Sequence, residues 1–225
     1  MTKWLLYLLS AASLSAQSMD PTDWRSLYNN YTLPVTFVER GSGWEFDFPP
    51  YNPDPKLPWW EQFGQVNYVM TDFVPPAEPT AVVMKLRLES SPAVVYYSMD
   101  RPDVLPCKVR PMLQSAEAVY FAEKLELPYE FRRWWPINVY YALGSNDNQD
   151  ITLYAPLEPG NWSSVYGVRG DQTPWFHVAM NRIQSVGFTF GGNFYGHGVR
   201  LSEGAATFVL LAYRLIYAND WLGGS

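Results

Sequence analysis

Apolar and polar residues alternate along much of this chain, which is the pattern of strands with one buried side and one solvent-facing side. In "WEFDF" (44–48) three aromatic residues point one way and two acidic residues point the other. "QVNYVMTDF" (65–73) and "TAVVMKLRLES" (80–90) predict two strands joined by "VPPAEP", in an antiparallel sheet with one side in water. The prolines between 49 and 58 predict a surface loop, since their spacing excludes a regular helix or a central strand.

Further strands follow the same pattern along the rest of the chain. They are predicted at 94–98, 108–113, 129–135, 137–143, 150–157, 185–190 and 205–217. The last of these, "AATFVLLAYRLIY", is apolar on both faces, which predicts a central place in a sheet.

Two segments carry helical signals. "TPWFHVAMNRI" (173–183) predicts a short helix, because Thr173 is a good N-cap, Pro174 suits the first helical position and apolar residues then recur at helical spacing. A second helix is predicted at 115–125, with Ser115 as its cap. Many strands, irregular loops and one or two short helices predict an all-β fold, an antiparallel β-sandwich of the jelly-roll type.

The N-terminal residues predict export. Residues 1–18 contain Lys3, an apolar run and then small residues, which is the layout of a secretory signal peptide, and the run is too short to span a bilayer. Cleavage is predicted after Ala16 or Ser18, and the alternatives are an uncleaved anchor or a buried strand. The other predicted boundaries are an irregular segment at 19–34, one jelly-roll domain at 35–217 and a tail at 218–225.

Composition narrows the classes of partner and the compartment. The net charge is −6 and no basic run exists, so nucleic acid is not an expected partner. Cys107 is the sole cysteine, which excludes an intramolecular disulfide and suits a secreted or periplasmic bacterial protein. No transmembrane span is predicted in the mature chain. The 10 Trp, 16 Tyr and 12 Phe exceed what a core of this size requires, which predicts surface rings that bind a ligand.

The order of motifs in the second half of the chain resembles a known family. "WSSVYG", "FHVAMNRIQSVGFTFGG", "GHGV" and "GAATFVLLAYRL" follow one another as in the closing part of galactose-binding-like jelly-roll domains, which include many carbohydrate-binding modules. The resemblance covers about residues 35–217 and implies a sandwich whose last long strand returns beside the first. It carries no ligand residue over to this chain.

The glycine-rich segment "FGGNFYGHGVRLSEG" (190–204) predicts a tight turn between two adjacent strands. His197 lies between two glycines, and His177 is the sole other histidine. Because "HExxH" and "GxSxG" are both absent, neither a zinc site nor a serine nucleophile is expected here. The alternative is a turn whose polar tip, including Tyr195 and His197, contacts a ligand.

Three aromatic stretches are candidate sugar platforms. In "RRWWP" (132–136) adjacent tryptophans of a strand face opposite ways, so one is expected in the core and the other beside an arginine on the open face. "PWWEQF" (58–63) and "NWSSVYG" (161–167) are loops in which rings are hard to bury. The alternatives are buried rings packed by arginine stems, an apolar plug and a loop held by a buried indole. The predicted ligand-binding residues are Trp59, Trp60, Arg132, Trp134, Trp135, Asn161, Trp162, Tyr166, Tyr195 and His197.

Acidic residues suggest two further hypotheses. Glu45 and Asp47 share one face of a strand at a spacing that glycoside hydrolysis permits, although any alternating strand with two acids produces it. Calcium is the cofactor most compatible with a jelly roll. Its candidate ligands are scattered; they are Asp72, Asp147, Asp150 and Asp171. The densest oxygen-rich stretch, "GSNDNQD" (144–150), favours a flexible hydrated loop over a calcium site.

Together these patterns favour an exported, non-catalytic protein that binds a glycan or polysaccharide through exposed aromatic residues. One alternative is a structural or assembly protein of an envelope or filament, whose surface rings contact protein partners or other copies of the chain. A second alternative is a polysaccharide-degrading enzyme.

Overall fold

A computed structural model describes residues 19–28, 31–52, 54–62, 64–98, 107–116, 127–192 and 198–218. The strands are β1 (Trp24–Tyr28), β2 (Tyr31–Thr32), β3 (Val38–Arg40), β4 (Gly43–Asp47), β5 (Tyr68–Asp72), β6 (Ala81–Ser90), β7 (Val95–Ser98), β8 (Lys108–Ser115), β9 (Arg133–Pro136), β10 (Tyr141–Ala142), β11 (Asp150–Pro156), β12 (Trp162–Ser164), β13 (Ile183–Gly191), β14 (Val199–Glu203) and β15 (Ala206–Ile216). The α-helices are α1 (Trp59–Gln62) and α2 (Trp175–Met180), and 3-10 turns occupy Pro21–Asp23, Tyr129–Phe131, Pro159–Asn161 and Gly170–Gln172.

Two antiparallel sheets form the body of the protein. The large sheet has the order β12-β9-β8-β13-β5-β1-β2, with β10 pairing with β8, and the small sheet has the order β11-β6-β15-β4-β3. A separate ribbon pairs β14 with β7. Because the chain passes repeatedly from one sheet to the other, the architecture is an antiparallel β-sandwich of jelly-roll type, and the predicted fold class is confirmed.

Aromatic rings from both sheets fill the space between them. Trp24 of the large sheet lies 4.9 Å from Trp44 of the small sheet, measured between ring centroids. Phe188 and Phe208 stack across the same gap at 4.8 Å. The expectation that the core could not hold the chain's rings is therefore wrong for the described tryptophans that lie in strands, because all of them are buried.

Alternation in the sequence identified the buried side of most strands correctly. In β4, Trp44 and Phe46 are buried while Asp47 is exposed, and in β6 every second residue from Val82 to Leu88 is buried. The apolar strand β15 lies in the middle of the small sheet, between β6 and β4, as its two apolar faces predict.

The pairing of strands departs from the expectation at one place. The segments at 65–73 and 80–90 do form strands, but β5 belongs to the large sheet and β6 to the small one. The prolines of "VPPAEP" remove backbone donors, so this connection crosses between the sheets and closes no hairpin.

Other expectations are corrected in detail. The N-terminal stretch predicted as irregular contains β1, which pairs with β5 in the large sheet. The segment 129–135 begins as a 3-10 turn and becomes a strand only at Arg133, and β10 covers only part of 137–143. Ser115 ends strand β8 and its hydroxyl donates to the carbonyl of Ala179 at 3.0 Å, while residues 117–126 of the helix predicted at 115–125 lie outside the described residues.

Helix α2 confirms the helix predicted at 173–183, although it is shorter, and buries Phe176, Ala179 and Met180. The Trp175 amide donates to the Thr173 hydroxyl at 3.3 Å. The predicted signal peptide at 1–18 and most of the tail lie outside the described residues. Among the residues that are described, no helix is long and apolar enough to cross a membrane.

Candidate functional site

The outer face of the large sheet, turned away from the sandwich core, carries an unusual set of side chains. Because side chains alternate along β5, Val69 points into the main core, whereas Tyr68 and Met70 point outward. The same rule sends Met112 of β8 and Trp135 of β9 outward. Strand pairing aligns these positions, because Met70 lies opposite Gly187 and Gly187 lies opposite Met112.

These outward residues form a second apolar cluster. Tyr68, Met70, Met112 and Trp135 are all buried, and Leu27 and Val165 pack against them. The indole Nε1 of Trp135 is buried and has no hydrogen-bond partner within the part of the chain that the structure describes. If this face of the sheet were fully open to solvent, these side chains would be exposed. Because they are buried, neighbouring side chains and loops must cover the face in part.

An arginine and several tyrosines lie around this cluster. The guanidinium of Arg133 lies 5.0 Å from the ring centroid of Tyr68, and its Nε donates to Oε1 of Gln114 at 2.8 Å. Burial raises the pKa of Tyr68 above its ordinary value; Arg133 opposes that shift, and Tyr129 and Tyr28 add to it. Tyr129 is 55% exposed, so its ring faces solvent near the buried hydroxyl of Tyr68.

Another tyrosine, Tyr140, contacts two cations of β8. Lys108 Nζ lies 4.2 Å and the Arg110 guanidinium 5.3 Å from the ring centroid of Tyr140, which is exposed. Arg110 is almost fully buried, and this desolvation lowers its pKa to about 10. Its Nη1 donates to the carbonyl of Pro136 at 3.4 Å. Such cation–π contacts favour a fixed position of the Tyr140 ring against the two cations.

These groups are called the Tyr–Arg surface below. It consists of Tyr68, Tyr129, Tyr140, Lys108, Arg110, Gln114 and Arg133. Flat rings can cover the C–H faces of a sugar, and arginine and amide donors can reach its hydroxyls. The arrangement is therefore chemically suited to an extended polar ligand that has apolar faces.

A cleft of about 950 Å³ adjoins the same face at the end where β5 stops and β13 begins. Arg25, Asp72, Gln114 and Ser185 line part of it. Asp72 accepts from Arg25 at 2.6 Å and from the Ser185 hydroxyl at 2.9 Å, and the Arg25 hydrogen bond lowers the pKa of Asp72. Gln114 belongs to both the cleft and the Tyr–Arg surface, so the two form one continuous region.

Three of the predicted ligand-binding residues are buried. Trp134 and Trp162 lie in the main core, where their Nε1 atoms each donate to a backbone carbonyl at 2.7 Å, that of Phe131 and that of Pro156. Trp135 faces outward as strand alternation requires, yet the second cluster buries it. The expectation of an open indole platform on β9 or β12 is wrong, because none of these rings presents a face to solvent.

The other predicted residues are distributed differently. Arg132 Nε donates to the carbonyl of Leu127 at 3.2 Å, and its guanidinium lies 6.0 Å from the ring centroid of Tyr129. Asn161 is exposed and donates to Glu158 at 2.9 Å. Tyr166 is 72% exposed, and the preceding Val165 amide donates to the carbonyl of Glu130, which places this turn beside the Tyr–Arg surface.

Some predicted residues cannot be placed in this way. Trp59 and Trp60 begin helix α1, and their side chains lie outside the description, as do Tyr195 and His197 altogether. The ends of the glycine-rich segment do meet, because the Gly198 amide donates to the carbonyl of Phe190 at 3.1 Å. Gly198 has a φ of +96°, which a residue with a side chain adopts at a cost.

Sequence reasoning missed most of the Tyr–Arg surface. Lys108 and Arg110 alternate within a predicted strand, which places both on one face and was the available signal. Tyr68 likewise alternates with the buried Val69. Nothing in the local pattern showed that their strands lie close together in one sheet.

The acidic candidates are engaged by neighbouring groups. Glu45 pairs with Arg40, and Asp47 accepts from the Thr207 hydroxyl at 2.5 Å. Asp147 accepts from the Tyr141 hydroxyl at 2.6 Å and the Gly144 amide at 2.9 Å, and Asp171 pairs with Arg169. In the described ranges, no three His, Cys, Asp or Glu side chains come together as a metal site. A calcium site remains a prediction.

The outer face of the small sheet differs from that of the large sheet in its charge. Three cations and three carboxylates there form one continuous chain of ion pairs. In order, they are Glu45, Arg40, Glu89, Arg87, Asp150 and Lys85. Each of these three cations thus pairs with at least one carboxylate.

Comparisons with known proteins add little to this description. No family model matches the chain, and no curated protein matches it significantly. Among solved structures, a protein described as "xylan-binding module CBM15" is similar, with 13% identity, a TM-score of 0.38 and coverage of 88% of this chain and 95% of that chain. CtCBM11, known from a solution structure, has 12% identity, a TM-score of 0.41 and coverage of 92% and 98%. At such scores neither likeness supports a conclusion about ligand or site.

Proposed function

We propose that this protein binds a carbohydrate across the outer face of its large sheet, without catalysing a reaction on it. The observation that carries the proposal is the Tyr–Arg surface, in which the exposed Tyr140 ring lies beside Lys108, and the exposed Tyr129 lies near the buried Tyr68, Arg133 and the Gln114 amide. The rings would cover the C–H faces of sugar residues, and the donors would orient their hydroxyls. Export by the predicted signal peptide is part of the proposal.

Preorganisation supports this assignment. Arg133 is held by Gln114 and by the Tyr68 ring, and Tyr140 is held by Lys108. Side chains that are already ordered lose little conformational entropy when a ligand arrives, so more of the contact energy appears as affinity. The adjoining cleft would let a chain continue beyond the Tyr–Arg surface toward Arg25.

Replacing Tyr129 with alanine tests the proposal. We expect about fivefold weaker binding, since one ring contact contributes on the order of 1 kcal/mol to affinity. The measurement is affinity electrophoresis of the full chain in gels that contain a panel of soluble plant and microbial polysaccharides, repeated with EDTA to test for calcium.

The matched control is Tyr154→Ala. Tyr154 is 48% exposed, nearly as much as Tyr129, but it lies on β11 in the small sheet. It should bind like the wild type. Equal loss in both variants, or no retardation of the folded protein by any polysaccharide, would contradict the proposed function. Release of new reducing ends from a bound polysaccharide would favour an enzyme.

A further inference from the structure

Two cations on the outer face of the large sheet differ from three on the small sheet in the partners they contact. On the small sheet, Arg40, Lys85 and Arg87 are each paired with carboxylates. On the large sheet, Lys108 and Arg133 contact tyrosine rings, and neither has a carboxylate partner among the described residues. The chain has 22 acidic against 16 basic residues, so two cations with such partners on one face are not expected from its composition.

Lys108 and Arg133 are spaced along the sheet. Lys108 lies on β8, and Arg133 lies on the neighbouring strand β9 opposite Gln114. Lys108 and Gln114 are six residues apart on β8, so at about 3.4 Å per residue the two cationic positions are about 20 Å apart, a span that an extended ligand would cover. Of the described carboxylates nearby, Asp72 is paired with Arg25, and Glu130 follows Tyr129 in the sequence.

Partial burial increases the effect of this charge. Lys108 and Arg133 are half-buried, and Arg133 lies over the buried Tyr68 and Met70 cluster. Interactions of partly buried charges are screened less by water and salt than those of exposed ones. A guanidinium also presents paired N–H donors whose geometry matches a carboxylate.

We infer that the ligand is an acidic glycan, with uronate carboxylates along its chain that pair with Lys108 and Arg133 while its sugar rings contact the tyrosines. This inference rests on the proposed function and names the class of ligand. Tyrosines alone would suit a neutral glycan, and cations alone would suit any polyanion. The combination selects a chain that has both apolar sugar faces and carboxylates.

The experiment compares one polymer in two forms. Polygalacturonate and its carboxyl-reduced counterpart have the same backbone and linkage but differ in charge. Isothermal titration of the full chain is expected to show at least tenfold tighter binding of the acidic polymer at low salt. That preference should decrease as sodium chloride rises, because partial burial reduces but does not abolish the screening of these charges by salt. Polyglutamate serves as a polyanion without sugar rings and is expected to bind weakly.

Two double variants with the same loss of charge provide the control. K108Q/R133Q removes two cations from the Tyr–Arg surface and is expected to weaken polygalacturonate binding at least tenfold. K85Q/R87Q removes two cations from the small sheet and is expected to bind like the wild type. Circular dichroism and thermal melting establish that both variants are folded.

The possible failures can be told apart. Equal or tighter binding of the carboxyl-reduced polymer overturns the acidic-glycan inference and leaves carbohydrate binding intact. Binding of neither polymer overturns the inference, and if the whole polysaccharide panel is also negative, the proposed function fails with it. Equal weakening in both double variants, or tight binding of polyglutamate, shows general charge attraction and also overturns the inference. If K108Q/R133Q does not fold, the wild-type comparison of the two polymers decides alone.

Discussion

Replacing Trp134 with alanine is expected to lower the free energy of unfolding by about 3–5 kcal/mol, the usual cost of removing a large buried ring. Trp134 is completely buried, with its ring centroid 5.0 Å from that of Phe176 and 6.1 Å from that of Phe131. Its loss leaves a cavity that the two sheets cannot close without moving β9. Equilibrium urea unfolding followed by circular dichroism measures the change.

Two conservative variants separate packing from hydrogen bonding. Trp134→Phe removes the donor that the Phe131 carbonyl accepts, whereas Trp135→Phe removes an Nε1–H without a partner among the described residues. Both variants delete a similar volume, so Trp134→Phe should cost about 1 kcal/mol more. If Trp134→Ala is as stable as the wild type but no longer binds glycans, this ring is a ligand contact and its burial here is wrong.

Trp135 shows how far the sequence could predict this fold. Alternation in "RRWWP" correctly separates Trp134, which faces the core, from Trp135 and Arg133, which face outward. It does not show what covers the outer face, because Leu27 and Val165 come from distant parts of the chain. The direction of a side chain is a local property of a strand, but its exposure depends on tertiary structure.

The candidate site was harder to predict for a related reason. Tyr68, Arg110 and Arg133 come together only because β5, β13, β8 and β9 are neighbours in that order. A single sequence does not give this order, and the expectation for β5 and β6 shows the difficulty: both strands were found, but they lie in different sheets. The surplus of aromatic residues predicted surface rings but not which ones: the described tryptophans in strands are buried in two apolar clusters, and the described exposed rings are tyrosines.

Replacing Gly187 with alanine is expected to destabilise the protein by about 3 kcal/mol, the upper end of the usual range for overpacking. A Cβ at this position would lie 2.1 Å from the carbonyl oxygen of Val69 and 2.7 Å from the Cα of Met70. Both are backbone atoms of β5, and β5 is held on its other side by β1. The clash therefore cannot be relieved by rotating a side chain, and β5 must move together with Tyr68.

Gly41→Ala is the control for this prediction. A Cβ there meets nothing within 4 Å, so its cost is limited to the positive φ of 62°, about 1–2 kcal/mol for an L-residue. Urea unfolding of both variants should therefore place Gly187→Ala clearly below Gly41→Ala in stability. Because β5 carries Tyr68 and β13 lies between it and β8, Gly187→Ala should also weaken glycan binding while Gly41→Ala should not. A Gly187→Ala protein as stable as the wild type would show that β5 and β13 are not packed as closely as described.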